Sequence, residues 1–366
     1  MTIYIVQVLL ILIMGLLCKP NRSEKRKRYY LFFFFLLLAS VSGFRAFSVG
    51  SDTKMYVGFF ELVQNGSAQN SRYELGFNYY VRLLHRLSDD PGILLIVSSL
   101  FSIGSVVLFL KKYSKDVVLS LALYILLGGY FWQMTAMRQV LAESLTMAAV
   151  GLLLWGRQRV SIIAAAGFLV LLATLFHTAA WIVFLPFLLI VIGSEKRRET
   201  RYYAWEILAI SFSAAVVCFA VYPLIMNGVS KLVPGFASYF RGTWSDSNYN
   251  ASLFKTLISV AFMAAGTAVF RNKRLNRNQS VAIMMLGASV IFNTLSMRME
   301  IWGRLSGFFS PYIYLLWAPE FVSEIRNQKN RGVIKGCIVL FSAAYMLIVL
   351  VFRPEWTRVV PYLFRK

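Results

Sequence analysis

Phe131-Trp-Gln-Met-Thr-Ala-Met-Arg-Gln-Val-Leu-Ala-Glu143 sets an arginine, a glutamine and a glutamate at the mouth of a segment otherwise built for lipid. At 100° per residue, Arg138, Gln139, Ala142, Glu143, Thr146 and Ala149 fall within an arc of about 140°. Val140, Leu141, Leu145, Met147 and Leu152 cover the rest of the surface. One stripe is polar and small, the other apolar. Such a polar stripe faces other helices or a water-filled cavity rather than acyl chains, so Arg138 and Glu143 read by default as functional. The structural alternative has Arg138 snorkelling to the headgroups while Gln139 and Glu143 join helices. Both readings are open at this level.

The rest of the chain has the same character. It is 366 residues long, 58% hydrophobic and 16% aromatic, which exceeds what a soluble core needs. This composition predicts an all-α, polytopic integral membrane helical bundle. The net charge of +22 does not point to nucleic acid, because the basic residues recur in short clusters between apolar runs, as orientation signals do. Cys18, Cys218 and Cys337 lie in or beside apolar segments without paired spacing, and read as packing residues.

The first apolar run, Ile3 to Cys18, has no basic residue before it and is followed at once by Lys19-Pro-Asn-Arg-Ser-Glu-Lys-Arg-Lys-Arg28. That pattern predicts a retained helix, a cytoplasmic 19–28 cluster and an N-terminus outside. Further apolar segments lie near 29–44, 91–110, 117–132, 139–155, 160–176, 178–193, 204–226, 253–270, 280–297, 302–319 and 333–352, giving about twelve spans. With the first cluster, the alternate loops place 23 of the 38 basic residues inside. No repeat or boundary is visible, so residues 1–366 read as a single polytopic membrane domain with external loops at about 45–90 and 227–252.

Within the first loop, Phe77–Leu87 looks like an amphipathic helix lying in the interface. Ser88-Asp-Asp-Pro-Gly92 reads as a helix cap rather than a metal site. The second loop carries Phe236, Tyr239, Phe240, Arg241, Trp244 and Tyr249, rings that suit an interfacial belt or stacking on sugars. The charge-poor run Val160–Gly193 is too long for one span and predicts a tight hairpin with Phe176-His-Thr178 at the outer face.

This topology leaves a short list of outward-facing polar residues: Arg45, Asp52, Tyr56, Glu74, Arg138, Gln139, Glu143, His177, Arg298, Glu300 and Arg304. Guanidinium groups at headgroup level match phosphate and diphosphate bidentately. Asp52, Glu74, Glu143 or His177 would serve as base for a hydroxyl nucleophile. No Gly-rich phosphate loop, His-Glu-x-x-His helix, cysteine cluster or Gly-x-Ser-x-Gly elbow is present, so nothing calls for a metal or a cofactor.

Several of these residues sit in motifs that resemble a known family. Arg45…Val49-Gly-Ser-Asp-Thr…Tyr56, Met137-Arg-Gln-Val-Leu-Ala142, Phe176-His-Thr-Ala-Ala180, Arg304-Leu-Ser-Gly-Phe-Phe309 and Val360-Pro-Tyr-Leu-Phe364 occur in order. Together they resemble the EpsG family, a Wzy-like group of exopolysaccharide and O-antigen polymerases. The resemblance implies a glycosyltransferase of the bacterial plasma (inner) membrane that joins undecaprenyl-pyrophosphate-linked oligosaccharide repeat units at the outer face. It implies Arg45, Asp52, Arg138, Gln139, His177 and Arg304 at the site. Ser51 stands as an insertion in the family's usual Gly-Asp pair. Tyr56 falls within the first motif, whereas Glu143 and Arg298 enter through polarity alone, as substrate-binding candidates.

The chemistry required agrees with that list. An acceptor hydroxyl must attack the anomeric carbon while diphosphate leaves, which needs cations at the leaving group and a base at the incoming oxygen. Arg138 and Arg304 are candidates for the first role, Asp52 and His177 for the second. Expected partners are the lipid-linked oligosaccharide, the bilayer and other polysaccharide-export proteins. Rival readings are a lipid-linked oligosaccharide flippase, which would show broken helices in both halves, and a membrane O-acyltransferase acting on surface glycans.

Overall fold

A computed structural model describes residues 1–65, 73–155, 159–194, 203–232 and 249–365. Every regular element in it is helical. In chain order these are α1 Thr2–Cys18, α2 Glu24–Gly43, α3 Thr53–Gln64, α4 Leu75–His85, α5 Gly92–Tyr113, α6 Val117–Leu126, α7 Gly129–Thr135, α8 Met137–Leu154 and α9 Val160–Phe176. There follow α10 Phe184–Ser194, α11 Ala204–Ala220, α12 Tyr222–Leu232, α13 Tyr249–Val269, α14 Arg277–Ser296, α15 Ile301–Ser306, α16 Ala318–Glu324 and α17 Gln328–Phe352.

Helix occupies each of the apolar segments expected to span, but not every one is long enough to do so as a single rod. Among the described residues, six helices are long and apolar enough to cross a membrane, and up to eight if each bent pair counts as one span. The difference from about twelve has a physical origin. The helix α2 begins with Glu24-Lys-Arg-Lys-Arg28, which leaves too short an uncharged stretch, while α9 and α10 have only 17 and 11 residues. The α6–α7 pair bends by 52° at Leu127-Gly128, where Gly128 takes φ 84°, a left-handed conformation that glycine adopts without a Cβ penalty.

The helices gather into two compact units, Met1–Trp181 with Ile325–Lys366, and Ile182–Glu324. In the first, α6 is buried along its whole length, with α1, α7 and α17 packed on it; α8 packs on α5 and α9, and α5 on α2. Its N-terminus is fixed by Asp116, whose carboxylate accepts from the Leu119 amide (3.1 Å), Asn21 Nδ2 (2.9 Å) and Lys335 Nζ (2.5 Å). In the second unit α14 is the central helix, contacted by α11, α13 and α15. It starts in a capping box of Asn276 and Gln279, and buried Trp317 donates to the Phe262 carbonyl at 2.7 Å over Gly266.

The expected external loop 45–90 is itself folded. Tyr56, Phe59 and Phe60 of α3 and Phe77, Val81 and Leu84 of α4 form one buried cluster with Leu94 and Leu95 of α5 and Met137 and Leu141 of α8. One face of α4 is thus spent on protein, where full burial of Phe77 alone contributes roughly 1.5–3 kcal/mol, while Leu75, Tyr79 and Leu83 stay exposed, the apolar surface that an interfacial helix presents. Asp90 Oδ1 accepts from the Gly92 amide at 2.8 Å as α5 begins, in keeping with the capping role. Most of the second expected loop, including Phe236, Tyr239, Phe240, Arg241 and Trp244, lies outside the described residues.

The segment 357–365 runs back along residues 44–51. Gly50 N donates to Arg358 O (2.9 Å), Ser51 N to Thr357 O (3.1 Å), Ala46 N to Leu363 O (2.8 Å) and Arg365 N to Phe44 O (2.8 Å). Tyr4 Oη reaches Val359 O and Tyr362 Oη reaches Val41 O, so the C-terminal segment ties the turn preceding α3 to α1 and α2.

Candidate functional site

At the start of α4, Glu74 has extended backbone, and its carboxylate does not fold back to cap the helix. Asn78 Nδ2 fixes the corner by donating to the carbonyls of Tyr73 (2.7 Å) and Glu74 (3.2 Å). The freed carboxylate becomes a hub within the first unit. Its Oε2 pairs with Arg138 Nη1, and its Oε1 faces His177 Nδ1 at 3.3 Å while accepting from the Thr178 amide at 3.2 Å.

Each partner is presented by a helix end. Arg138 lies in the first turn of α8, directly after the break at Ala136. His177 ends α9 in an extended conformation (φ −155°, ψ 115°), which swings its ring off the helix toward Glu74. The Arg138 guanidinium lies 4.6 Å from the centroid of Tyr73, and its charge acts on the Tyr56 hydroxyl. It is held inward, so neither interfacial snorkelling nor a free guanidinium describes it.

The electrostatics follow from this arrangement. Burial opposes ionisation of Glu74, but the His177 hydrogen bond, the Arg138 charge and the Thr178 amide outweigh it and lower its pKa to about 2. Glu74 is therefore a fixed anion and an acceptor only, not an acid or a base at working pH. Burial pushes the Tyr56 phenol the other way, up to about 12.

The remaining candidates divide. Asp52 sits half-buried at the start of α3, accepting from Ser51 Oγ at 2.9 Å, and its charge acts on Tyr56. Gln139 Nε2 (2.8 Å) and Trp132 Nε1 (3.2 Å) both donate to Glu143 Oε1, a buried group one helical turn along α8 from the Arg138 cluster.

Arg45 is 1% exposed and is spent internally: it donates to the carbonyls of Ser42 (2.6 Å), Val49 (3.3 Å) and Met134 (3.0 Å). It bolts the α7–α8 break to the turn carrying Asp52, and Gly50, at φ 94°, sits where a Cβ would collide with the same Met134 carbonyl. Arg45→Met should cost roughly 1–3 kcal/mol, because the Ser42 carbonyl loses its guanidinium donor and Thr53 Oγ1 alone is left for the Val49 and Met134 carbonyls. The check is thermal unfolding in detergent, where a midpoint within 2 °C of wild type would contradict this structural role.

Arg298, Glu300 and Arg304 belong to the second unit. Arg298 is exposed with its guanidinium 4.2 Å from the Phe219 ring centroid, Glu300 is exposed, and Arg304 is half-buried in α15. The described geometry thus unites Tyr56, Glu74, Arg138 and His177, all within the first unit.

A family model matches residues 28–364, nearly the whole chain. The protein belongs to the EpsG family. No protein of curated function and no solved structure matches it significantly. The match spans all the residues of the Glu74 cluster and the stitched C-terminal segment as far as Phe364. Neither Tyr73 nor Thr178 is marked in the sequence by its side-chain chemistry. Tyr73 adjoins an acidic helix start, and Thr178 follows the lone hairpin histidine, which are the signals the sequence offered.

Proposed function

We propose that this protein is a membrane polysaccharide polymerase that joins undecaprenyl-pyrophosphate-linked repeat units at the outer face of the plasma membrane, with about twelve spans and its N-terminus outside. Family membership and span-like helices support the class. The observation that carries the reaction is the cluster in which Glu74 holds a guanidinium on one carboxylate oxygen and an imidazole on the other. Arg138 offers a permanent cation for the departing diphosphate. His177 offers a ring nitrogen for the proton of the attacking hydroxyl. Arg304, through its family motif, remains a candidate for a second cation, and Asp52 for a second base.

One observation favours the flippase reading: a bent helix pair occurs in each unit, α6–α7 at 52° and α11–α12 at 66°. The two readings differ in which glycolipid accumulates when the gene is deleted. Single repeat units on the carrier at the outer face are expected for loss of a polymerase, whereas accumulation on the cytoplasmic face would overturn that reading. The orientation is checked in the same cells with a cysteine-free background. Arg86→Cys should react with an impermeant thiol reagent and Lys25→Cys should not; reversed labelling would move the cluster to the cytoplasm.

A further inference from the structure

We propose that Glu74 is the positioning residue for His177, fixing the imidazole so that Nδ1 carries the proton and Nε2 is the acceptor for the attacking sugar hydroxyl. This rests on the polymerase reading and assigns the roles within it. Three features of the cluster converge on this role. The ring nitrogen facing Glu74 is Nδ1, at 3.3 Å, and an ionised carboxylate can only accept, so Nδ1 donates and, in the neutral ring, the lone pair falls on Nε2. Nε2 is buried and has no hydrogen-bond partner among the described residues, so the protein leaves it unsatisfied, unlike the ring nitrogen of a histidine held in place by bonds on both sides.

The third observation is the approach of α4 to the end of α9. A Cβ on Gly76 would collide with the backbone carbonyl and side chain of Leu175, so the absence of a side chain there lets α4 come close enough for Glu74 to reach His177 and Thr178. A glycine in the first turn of a helix is otherwise unfavourable. The dyad thus has the nucleophile–base–orienting-group logic in which a carboxylate sets the tautomer of a histidine base.

The step balances without any further reactant. The acceptor hydroxyl gives its proton to His177 Nε2 as its oxygen bonds to the anomeric carbon. The anomeric carbon–oxygen bond to diphosphate breaks, and that electron pair leaves on the diphosphate oxygen. Imidazolium formed at His177 is stabilised by the Glu74 anion and later returns its proton to solvent.

The test uses full-length protein in liposomes, with lipid-linked repeat units extracted from the deletion strain as substrate, and reads kcat and KM per folded protein. Glu74→Gln, which can donate to Nδ1 and reverse the tautomer, should lower kcat by about 100-fold or more, with KM within about threefold. Gly76→Ala leaves every charge in place yet displaces the carboxylate, so it should lower kcat by at least about tenfold and covers the case in which Glu74→Gln fails to fold. In a His177→Ala background, Glu74→Gln should cost less than about tenfold, since a group acting through His177 has nothing left to orient. Wild-type-like kcat for both single variants overturns the dyad and leaves the polymerase reading standing. The full Glu74→Gln loss repeated in the His177→Ala background overturns it as well, placing Glu74 with Arg138 instead. If wild type itself extends no glycan, the polymerase reading falls and the dyad with it.

Discussion

Replacing His177 with alanine should lower the rate of chain extension by about 10²–10⁴-fold, the usual contribution of a positioned general base. The protein should remain folded in the membrane. His177 ends a helix, its side chain is not part of the α3–α4–α5 hydrophobic cluster, and its backbone N–H bond to Ala173 O (3.0 Å) does not depend on the imidazole. The variant leaves Glu74 still paired to Arg138 and still accepting from the Thr178 amide, so the hub is not left as an unpaired buried charge. Polymer made per folded protein is the quantity to measure in reconstituted samples, and imidazole added to the His177→Ala variant should restore part of the rate. Near-normal extension without imidazole would remove His177 from the chemistry and leave Asp52 as the better candidate for base.

Arg138→Lys is the second large effect. If the guanidinium stabilises negative charge on the departing diphosphate, lysine keeps the charge but loses the planar fork. It can replace the bond to Glu74, or reach Tyr56, or meet phosphate, but it cannot hold all three directions at once. The loss of a charge-assisted bond made in the transition state is worth roughly 2–4 kcal/mol, about 30- to 1,000-fold in rate. A purely architectural Arg138, buttressing Glu74 over the Tyr73 ring, predicts a different pattern. Lysine would then keep most of the activity, within about tenfold, and Arg138→Ala would be lost mainly through unfolding. Activity and folded yield measured together for wild type, Arg138→Lys and Arg138→Ala separate the two, and a wild-type-like lysine variant would show that the planar fork contributes nothing to the rate.

These expectations depend on features that differ in how far they are legible from the chain. The helical class follows from apolar runs of about 20 residues, because in a bilayer each backbone polar group must be satisfied within its own segment. The polar stripe beginning at Arg138 follows from a rotation of 100° per residue, but α8 buries its apolar side, Val140, Leu141, Leu145 and Met147, as fully as Gln139, Ala142, Glu143, Thr146 and Ala149, because protein packs around the whole helix. The break before Arg138 is less legible: Gly128-Gly129 marks the bend, but Ala136, a good helix former, ends α7. Its interruption is stabilised from outside, by Arg45 Nη2 and Thr53 Oγ1 on the Met134 carbonyl.

By itself the sequence determined that this is a membrane helical protein of the EpsG family's pattern, and that Arg138 and His177 stand at helix ends. Local rules suffice for that, since periodicity, caps and apolar length act within a few turns of chain. Only the tertiary structure decided which charged groups meet. Arg45 and Arg138 look alike in sequence, each an arginine at a helix boundary, yet one is sealed against three carbonyls and the other faces Glu74. The Glu74–His177 contact joins residues 103 apart, and the Arg45–Met134 bond residues 89 apart. Such pairings depend on how closely two helices approach, which at α4 and α9 turns on the missing side chain of Gly76, a distance that no pattern within either helix encodes.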